Sequence, residues 1–115
     1  MSTYKDLKVW QKSIELALLV YRVTDLFPSK ENFGLTSQMR RCAVSVPSNI
    51  AEGKNRRSNP EFKRFINIAL GSLGELDTQS LLAKELQYCS EINFKEISKL
   101  VEEVGKMLNA LKKAI

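Results

Sequence analysis

Arg40, Arg41, Lys54, Arg56, Arg57, Lys63 and Arg64 fall within one short stretch of the chain, opposed only by Glu52 and Glu61. Seven cations against two carboxylates leave five positive charges, the same as the formal net charge of +5 for all 115 residues. The rest of the chain is therefore neutral as a whole. Arginine presents a planar fork of donors that pairs with two phosphate oxygens at once, and lysine adds a point charge. Lys54, Arg56, Arg57, Lys63 and Arg64 are expected to form one patch, and the chemistry that suits it is contact with a nucleic-acid backbone. A second reading leaves them as solvated cations near the C-terminal end of a helix, where the helix dipole favours positive charge. Arg40 and Arg41 are also open to pairing with acids of a neighbouring helix or subunit.

Other chemistry is harder to find. The chain has no histidine, which removes the commonest general base and the commonest metal ligand together. Cys42 and Cys89 are far apart and form no C-x-x-C pair, so core filling in a reduced, cytoplasmic compartment is expected of them. No phosphate-binding glycine loop or dinucleotide fingerprint follows a strand. Ser45, Ser48, Asn49 and Glu52 gather polar atoms beside Pro47, and an unfamiliar catalytic site there is the weakest of the readings. Their expected task is to satisfy backbone groups released by Pro47, or to pair with Arg40 or Arg41. No enzymatic activity, metal or cofactor is expected. Phe62 and Phe65 fall on a core face, so aromatic residues are not interleaved with the cations to stack exposed bases.

The elements that must position these residues are helical. Leu7, Trp10, Ile14, Ala17, Leu18 and Tyr21 recur at three- and four-residue steps and predict a helix over about 7–26. Val9, Leu16, Leu19, Val20 and Val23 make a second apolar stripe on the same helix. One buried stripe suffices for a bundle helix, so two stripes point to a covering neighbour, either a second subunit or a broad buried face within one chain. Pro28 ends that helix. A second helix buries Leu35, Met39, Cys42, Ala43, Val46 and Ile50, passes Pro47 with a kink, and is expected to be capped by Gly53. Ser58 and Glu61, with Pro60 in the first turn, read as a capping box opening a third helix that reaches about Tyr88. Gly71 and Gly74 weaken that helix, so another helix is expected to approach closely there. Asn93 with Glu96 is expected to cap a fourth helix, striped by Phe94, Ile97, Val101, Val104, Leu108, Leu111 and Ile115.

One domain over residues 1–115 is expected, an all-α, up-down-up-down antiparallel four-helix bundle. The apolar fraction of 43% and charged fraction of 27% are those of a soluble globular protein. The first residues show no signal-peptide pattern. The most apolar stretch, Ile14 to Val23, is too short to span a bilayer and carries Glu15 and Arg22. A soluble, cytoplasmic protein without a membrane partner is expected.

Several runs resemble a known family. They are Asp6-Leu7-Lys8-Val9-Trp10-Gln11-Lys12, Glu31-x-x-Gly34-Leu35, Gln38-x-Arg40-Arg41, Ser45-Val46-Pro47-Ser48-Asn49-Ile50-Ala51-Glu52-Gly53, and Gly71-Ser72-Leu73-x-Glu75-Leu76. The chain is similar to the four-helix bundle proteins encoded in intervening sequences of bacterial 23S ribosomal RNA genes, a family also described as ribosomal-protein-like. The resemblance covers nearly the whole chain, most firmly Asp6 to Leu76. It implies a ring-like homopentamer. It also implies kinship with the accessory proteins of diversity-generating retroelements, basic pentamers that associate with a reverse transcriptase and nucleic acid. It marks Arg40, Arg41, Ser45, Pro47, Asn49, Glu52 and Gly53 as motif residues with a structural or interface role, and it carries no ribosomal function. Two function classes follow: an oligomer that binds RNA or DNA, and a protein-interaction scaffold.

Overall fold

The structure, a computed structural model, describes residues 3–115. It has four α-helices, α1 (Lys8–Thr24), α2 (Leu35–Asn55), α3 (Asn59–Glu85) and α4 (Glu91–Ala114), with single 3-10 turns at Tyr4–Asp6 and Ser29–Glu31. The described residues include no strand. The 27 residues of α3 span about 40 Å at 1.5 Å per residue, which matches the 42 Å long axis of the molecule. The backbones of α1 and α2, α2 and α3, α3 and α4, and α4 and α1 pack against each other, while neither diagonal pair does. The helices therefore stand at the corners of a square, with one core between them.

That core is filled by Leu16, Met39, Ile50, Ile66, Leu76, Ile97 and Leu108, all fully buried. Each contributes roughly 1.5–3 kcal/mol by leaving water. On α1 it is the second apolar stripe, Val9, Leu16, Leu19, Val20 and Val23, that points inward. The first stripe is left half-covered or open at Trp10, Ile14, Leu18 and Tyr21, although its Ala17 is buried. Two apolar stripes on one helix compete for the core, and the one whose partner stripes on α2 and α4 fit it is the one that wins.

The helix ends differ from the expectation in instructive ways. The hydroxyl of Ser58 accepts from Glu61 N at 3.4 Å and opens α3, with a proline in its first turn. Glu61 does not reach back to Ser58; its carboxylate takes Arg64 instead. The cap of α4 is Ser90, which accepts from Asn93 N at 3.0 Å, so Asn93 is a first-turn residue rather than the cap. α3 stops at Glu85, short of Tyr88. Gln87 adopts φ 65° and the amides of Gln87 and Tyr88 bond the carbonyls of Lys84 and Ala83, a Schellman closure built on glutamine. Gly53 does not cap α2. It is buried inside the helix, and the left-handed residue past the helix end is Arg57, at φ 55°.

Candidate nucleic-acid interface

The short connection between α2 and α3 gathers the five predicted cations. Lys54 is in the last turn of α2, Arg56 caps that helix, Arg57 makes the left-handed turn, and Lys63 and Arg64 follow in the opening turns of α3. Phe62 and Phe65 lie beneath them, nearly buried, as core anchors of α3. The guanidinium carbons of Arg56 and Arg64 stand 5.2 and 4.5 Å from the centre of the Phe65 ring. Lys54 Nζ is 5.9 Å from that of Phe62. Cations held over aromatic faces lose rotamer freedom before any ligand arrives, which lowers the cost of binding.

Two of the five are partly neutralised. Arg56 Nη2 donates to Glu52 Oε1 at 2.7 Å. Arg64 donates twice to the Glu61 carboxylate, at 3.1 and 3.3 Å, and this bond holds the Glu61 carboxyl below the usual glutamate range. Arg57 and Lys63 are exposed and have no ion-pair partner among the described residues. Sequence spacing missed a further contribution. Lys112 Nζ donates to Asn67 Oδ1 at 3.0 Å, so the last turn of α4, with Lys112 and Lys113, borders the early turns of α3 and extends the basic end. The signal is present in the heptad register of α4, but it needs the pairing of α4 with α3 to be read.

Arg40 is not part of this patch. Its Nε donates to Thr24 Oγ1 at 2.8 Å, and its Nη2 to Asp25 Oδ1 at 2.8 Å and to the Tyr21 carbonyl at 3.4 Å, while the group lies over the Tyr21 ring. It pins α2 to the C-terminal end of α1, where the dipole also favours a cation. Arg41 is exposed and takes no part in that bond network.

The polar residues around Pro47 do a different task from the one expected. Pro47 lacks an N–H, which leaves the Ala43 carbonyl without its helical donor. The Asn49 amide donates to the Ser45 carbonyl (2.8 Å) and hydroxyl (2.9 Å), and Ser45 Oγ shares a hydrogen bond with Ser72 Oγ (2.8 Å). The group thus ties α2 to α3 and reaches neither the freed carbonyl nor Arg40 or Arg41; its Glu52 pairs with Arg56 instead. Among the described residues no cluster of acids and cysteines is gathered that could hold a metal ion, and no helix is long and apolar enough to cross a membrane.

The family model for the 23S rRNA-intervening sequence protein matches residues 5–110. The chain belongs to that family. The match takes in all of α1, α2 and α3 and most of α4, so it covers both the basic connection and the Ser45–Gly53 motif. A solved structure of a protein of unknown function from the S23 ribosomal protein family of Bacteroides thetaiotaomicron is similar. It is 26% identical, covers 91% of this chain and 95% of its own, and superposes with a TM-score of 0.82. No curated protein matches the chain. For this member of the intervening-sequence family, the motif residues sort by contact. Gly53 seats α2 on α3, Ser45 and Asn49 join the same two helices, Arg40 joins α1 to α2, and Glu52 restrains Arg56.

Proposed function

We propose that this chain is a non-enzymatic, oligomeric protein that binds structured RNA or DNA through phosphate contacts at its basic end. One observation carries the reading. Arg57 holds a left-handed conformation at a turn position where glycine is favoured, as Gln87 does after α3, but here the side chain is an exposed cation. A local rule broken at a charged surface residue points to a role outside folding. Five cations against two carboxylates leave three unbalanced charges at this connection, with Lys112 and Lys113 beside them. The nearly buried Phe62 and Phe65 offer no stacking platform for bases, so sequence-independent backbone contact is the fitting mode.

The reading includes an up-down-up-down antiparallel arrangement, assembly into a ring, and a cytoplasmic location. The meeting of the Ser29–Glu31 and α3–α4 connections, where the Tyr88 hydroxyl donates to Glu31 Oε2 at 3.1 Å, supports the antiparallel order. A ring would present several basic ends side by side and convert weak contacts into avid binding. Anisotropy of a labelled structured RNA and of a duplex DNA, titrated at several salt concentrations, tests the reading. Binding that weakens steeply with salt is expected, with a log–log slope approaching about −0.9 per phosphate neutralised on duplex. No binding near physiological salt would overturn it.

The scaffold reading keeps one observation of its own. At the other end of α2, about 30 Å from Arg57 by helical rise, Phe33 is fully exposed and Leu26 and Ile92 are about seven-tenths exposed. A protein partner, such as the reverse transcriptase that the resemblance implies, would find its apolar contact there.

A further inference from the structure

A hollow of about 530 Å³ opens between the C-terminal end of α1 and the first three turns of α2. Asn32, Thr36, Ser37, Arg40 and Arg41 supply its polar wall, and Tyr21 and Val44 its apolar one. No carboxylate lines it. Those nearest in sequence are already engaged: Asp25 by Arg40, and Glu31 by the Leu35 amide and the Tyr88 hydroxyl. Glu75 of α3 accepts from the Cys42 thiol at 3.6 Å and does not line the hollow. A hollow between α1 and α4 differs: there Lys12, Arg22 and Lys99 are matched by Glu15, Glu96 and Glu103, so its charge cancels. The outward face of α3 presents bare backbone instead. At Gly71 and Gly74 an added Cβ would meet nothing within 4 Å, so the close helix approach expected there is absent within the described chain.

Several donors around the α1–α2 hollow are left without acceptors. Gly34 gives α2 no side-chain cap. Glu31 takes the Leu35 amide at 3.0 Å, while the amides of Thr36 and Ser37 have no acceptor among the described residues. Arg41 forms no ion pair among them. Arg40 engages Thr24, Asp25 and Tyr21 through Nε and Nη2, and its Nη1 has no acceptor there. The hydroxyl of Thr36 is the most telling. Thr36 is 5% exposed, and its Oγ1 is buried without a hydrogen-bond partner. Buried polar groups are nearly always paired, and leaving one unpaired costs stability. A helical threonine has two accessible side-chain rotamers, so rotation about Cα–Cβ presents this hydroxyl to the hollow that Thr36 lines.

We infer that this hollow binds a small organic phosphate, its head held by Arg41, Arg40 Nη1, the Thr36 hydroxyl and the opening amides of α2. The site is independent of nucleic-acid binding at the other end of that helix. Guanidinium groups and the free amides of a helix N-terminus both favour phosphate. Charge and donor count select it over a carboxylate. A phosphomonoester carries about 1.5–2 negative charges and three terminal oxygens, and two arginines with two amides offer more donors than a carboxylate's two oxygens accept. The body of the ligand is apolar for a geometric reason. Val44 is also a wall of a second hollow, of about 300 Å³, lined by Trp10, Ile14, Ala17 and Pro47. A ligand with its head at Arg41 enters that hollow by passing over Val44, about 4.5 Å further along α2 by helical rise.

Phenyl phosphate, a phosphate head on a flat apolar body, is the probe. Titration calorimetry on the whole protein at low salt is expected to show one site per chain. Inorganic phosphate, without the body, and benzoate, without the phosphate, are each expected to bind more weakly. Arg41→Gln should weaken phenyl phosphate by about ten- to a hundredfold, the range for hydrogen bonds to a charged group. Thr36→Val keeps the side-chain shape; it should raise the melting temperature of the free protein and weaken the probe about threefold. Arg57→Glu should leave the probe's affinity unchanged while lowering that for duplex. A wild-type protein that takes up no phenyl phosphate, or takes inorganic phosphate or benzoate as tightly, would overturn the site. An Arg41→Gln or Thr36→Val variant that binds like the wild type would do the same. So would loss of binding in Arg57→Glu, which would place the phosphate at the basic end. Failure of the wild-type protein to bind duplex would overturn the function proposed above and leave this site standing.

Discussion

Gly53 and Phe65 touch so closely that a Cβ added at Gly53 would lie 2.7 Å from Phe65 Cβ. The contact joins the end of α2 to the start of α3 and seats the ring over which Arg56 and Arg64 lie. The seat of the basic end is thus set by the absence of a side chain.

Gly53→Ala should destabilise the protein, by up to about 2 kcal/mol once the propensity gain is subtracted from the overpacking cost. Alanine gains up to about 1 kcal/mol in helix propensity, but overpacking against a Cβ, which is fixed to the backbone, costs about 1–3 kcal/mol. Gly105→Ala is the control: its nearest neighbour, Leu73 Cδ1, would be 3.9 Å away, so propensity alone acts and the variant should gain about 0.5–1 kcal/mol. Urea unfolding midpoints check both signs; a stabilised Gly53→Ala protein would refute the close contact.

Arg40→Ala should cost about 1.5–3 kcal/mol, the range for hydrogen bonds to a charged group, because Thr24 and Asp25 lose a shared donor. Thr24 is buried, and its hydroxyl would still donate to the Val20 carbonyl at 2.7 Å. Arg40→Lys should recover little of the loss, since one ammonium cannot span both acceptors and the Tyr21 face. Nucleic-acid affinity, measured well below the melting temperature, should change less than for the patch residues. This separates the pin from the patch.

The carboxylates of Glu52 and Glu61 restrain two of the five cations, so removing them should strengthen binding. Glu52→Gln with Glu61→Gln is expected to raise duplex affinity at low salt and steepen the salt slope by up to about 0.9 for each arginine that gains a phosphate. The same logic gives a pH dependence. Hydrogen bonding from Arg64 lowers the Glu61 carboxyl, so the pair's contribution is fully present above the ordinary glutamate value and is lost as pH falls through the lowered one. The Glu61 carboxyl resonance should titrate below the usual glutamate midpoint, and Arg64→Gln should move it back up.

Much of this was legible in the residues, and the failures share a cause. The α4 stripe and the Ser58 cap were readable because each depends on neighbours three or four positions away. The buried stripe of α1 was not, because two apolar stripes have equal claims until the partners on α2 and α4 are placed. Gly53 read as a cap because glycine near a helix end is usually one; its actual reason, the Phe65 Cβ, is twelve residues distant. At the basic end, the five cations were recognisable from spacing alone, but their division into restrained and unrestrained was not. That division depends on which carboxylate each arginine reaches across a turn of helix.

Arg57 offers the sharpest test of whether the basic end is made for binding or only for folding. A non-glycine residue in the left-handed region costs roughly 1–2 kcal/mol relative to ordinary backbone, and glycine returns part of that through its greater freedom in the unfolded chain. Arg57→Gly should therefore stabilise the protein by about 0.5–1 kcal/mol. The same change removes an exposed cation that has no ion-pair partner among the described residues, so it should weaken nucleic-acid binding and reduce the salt slope by about one phosphate's worth. A folding role for Arg57 predicts the reverse, a lower unfolding midpoint with unchanged binding. Thermal melts and anisotropy titrations on the one variant decide between them, because the two roles move stability in opposite directions.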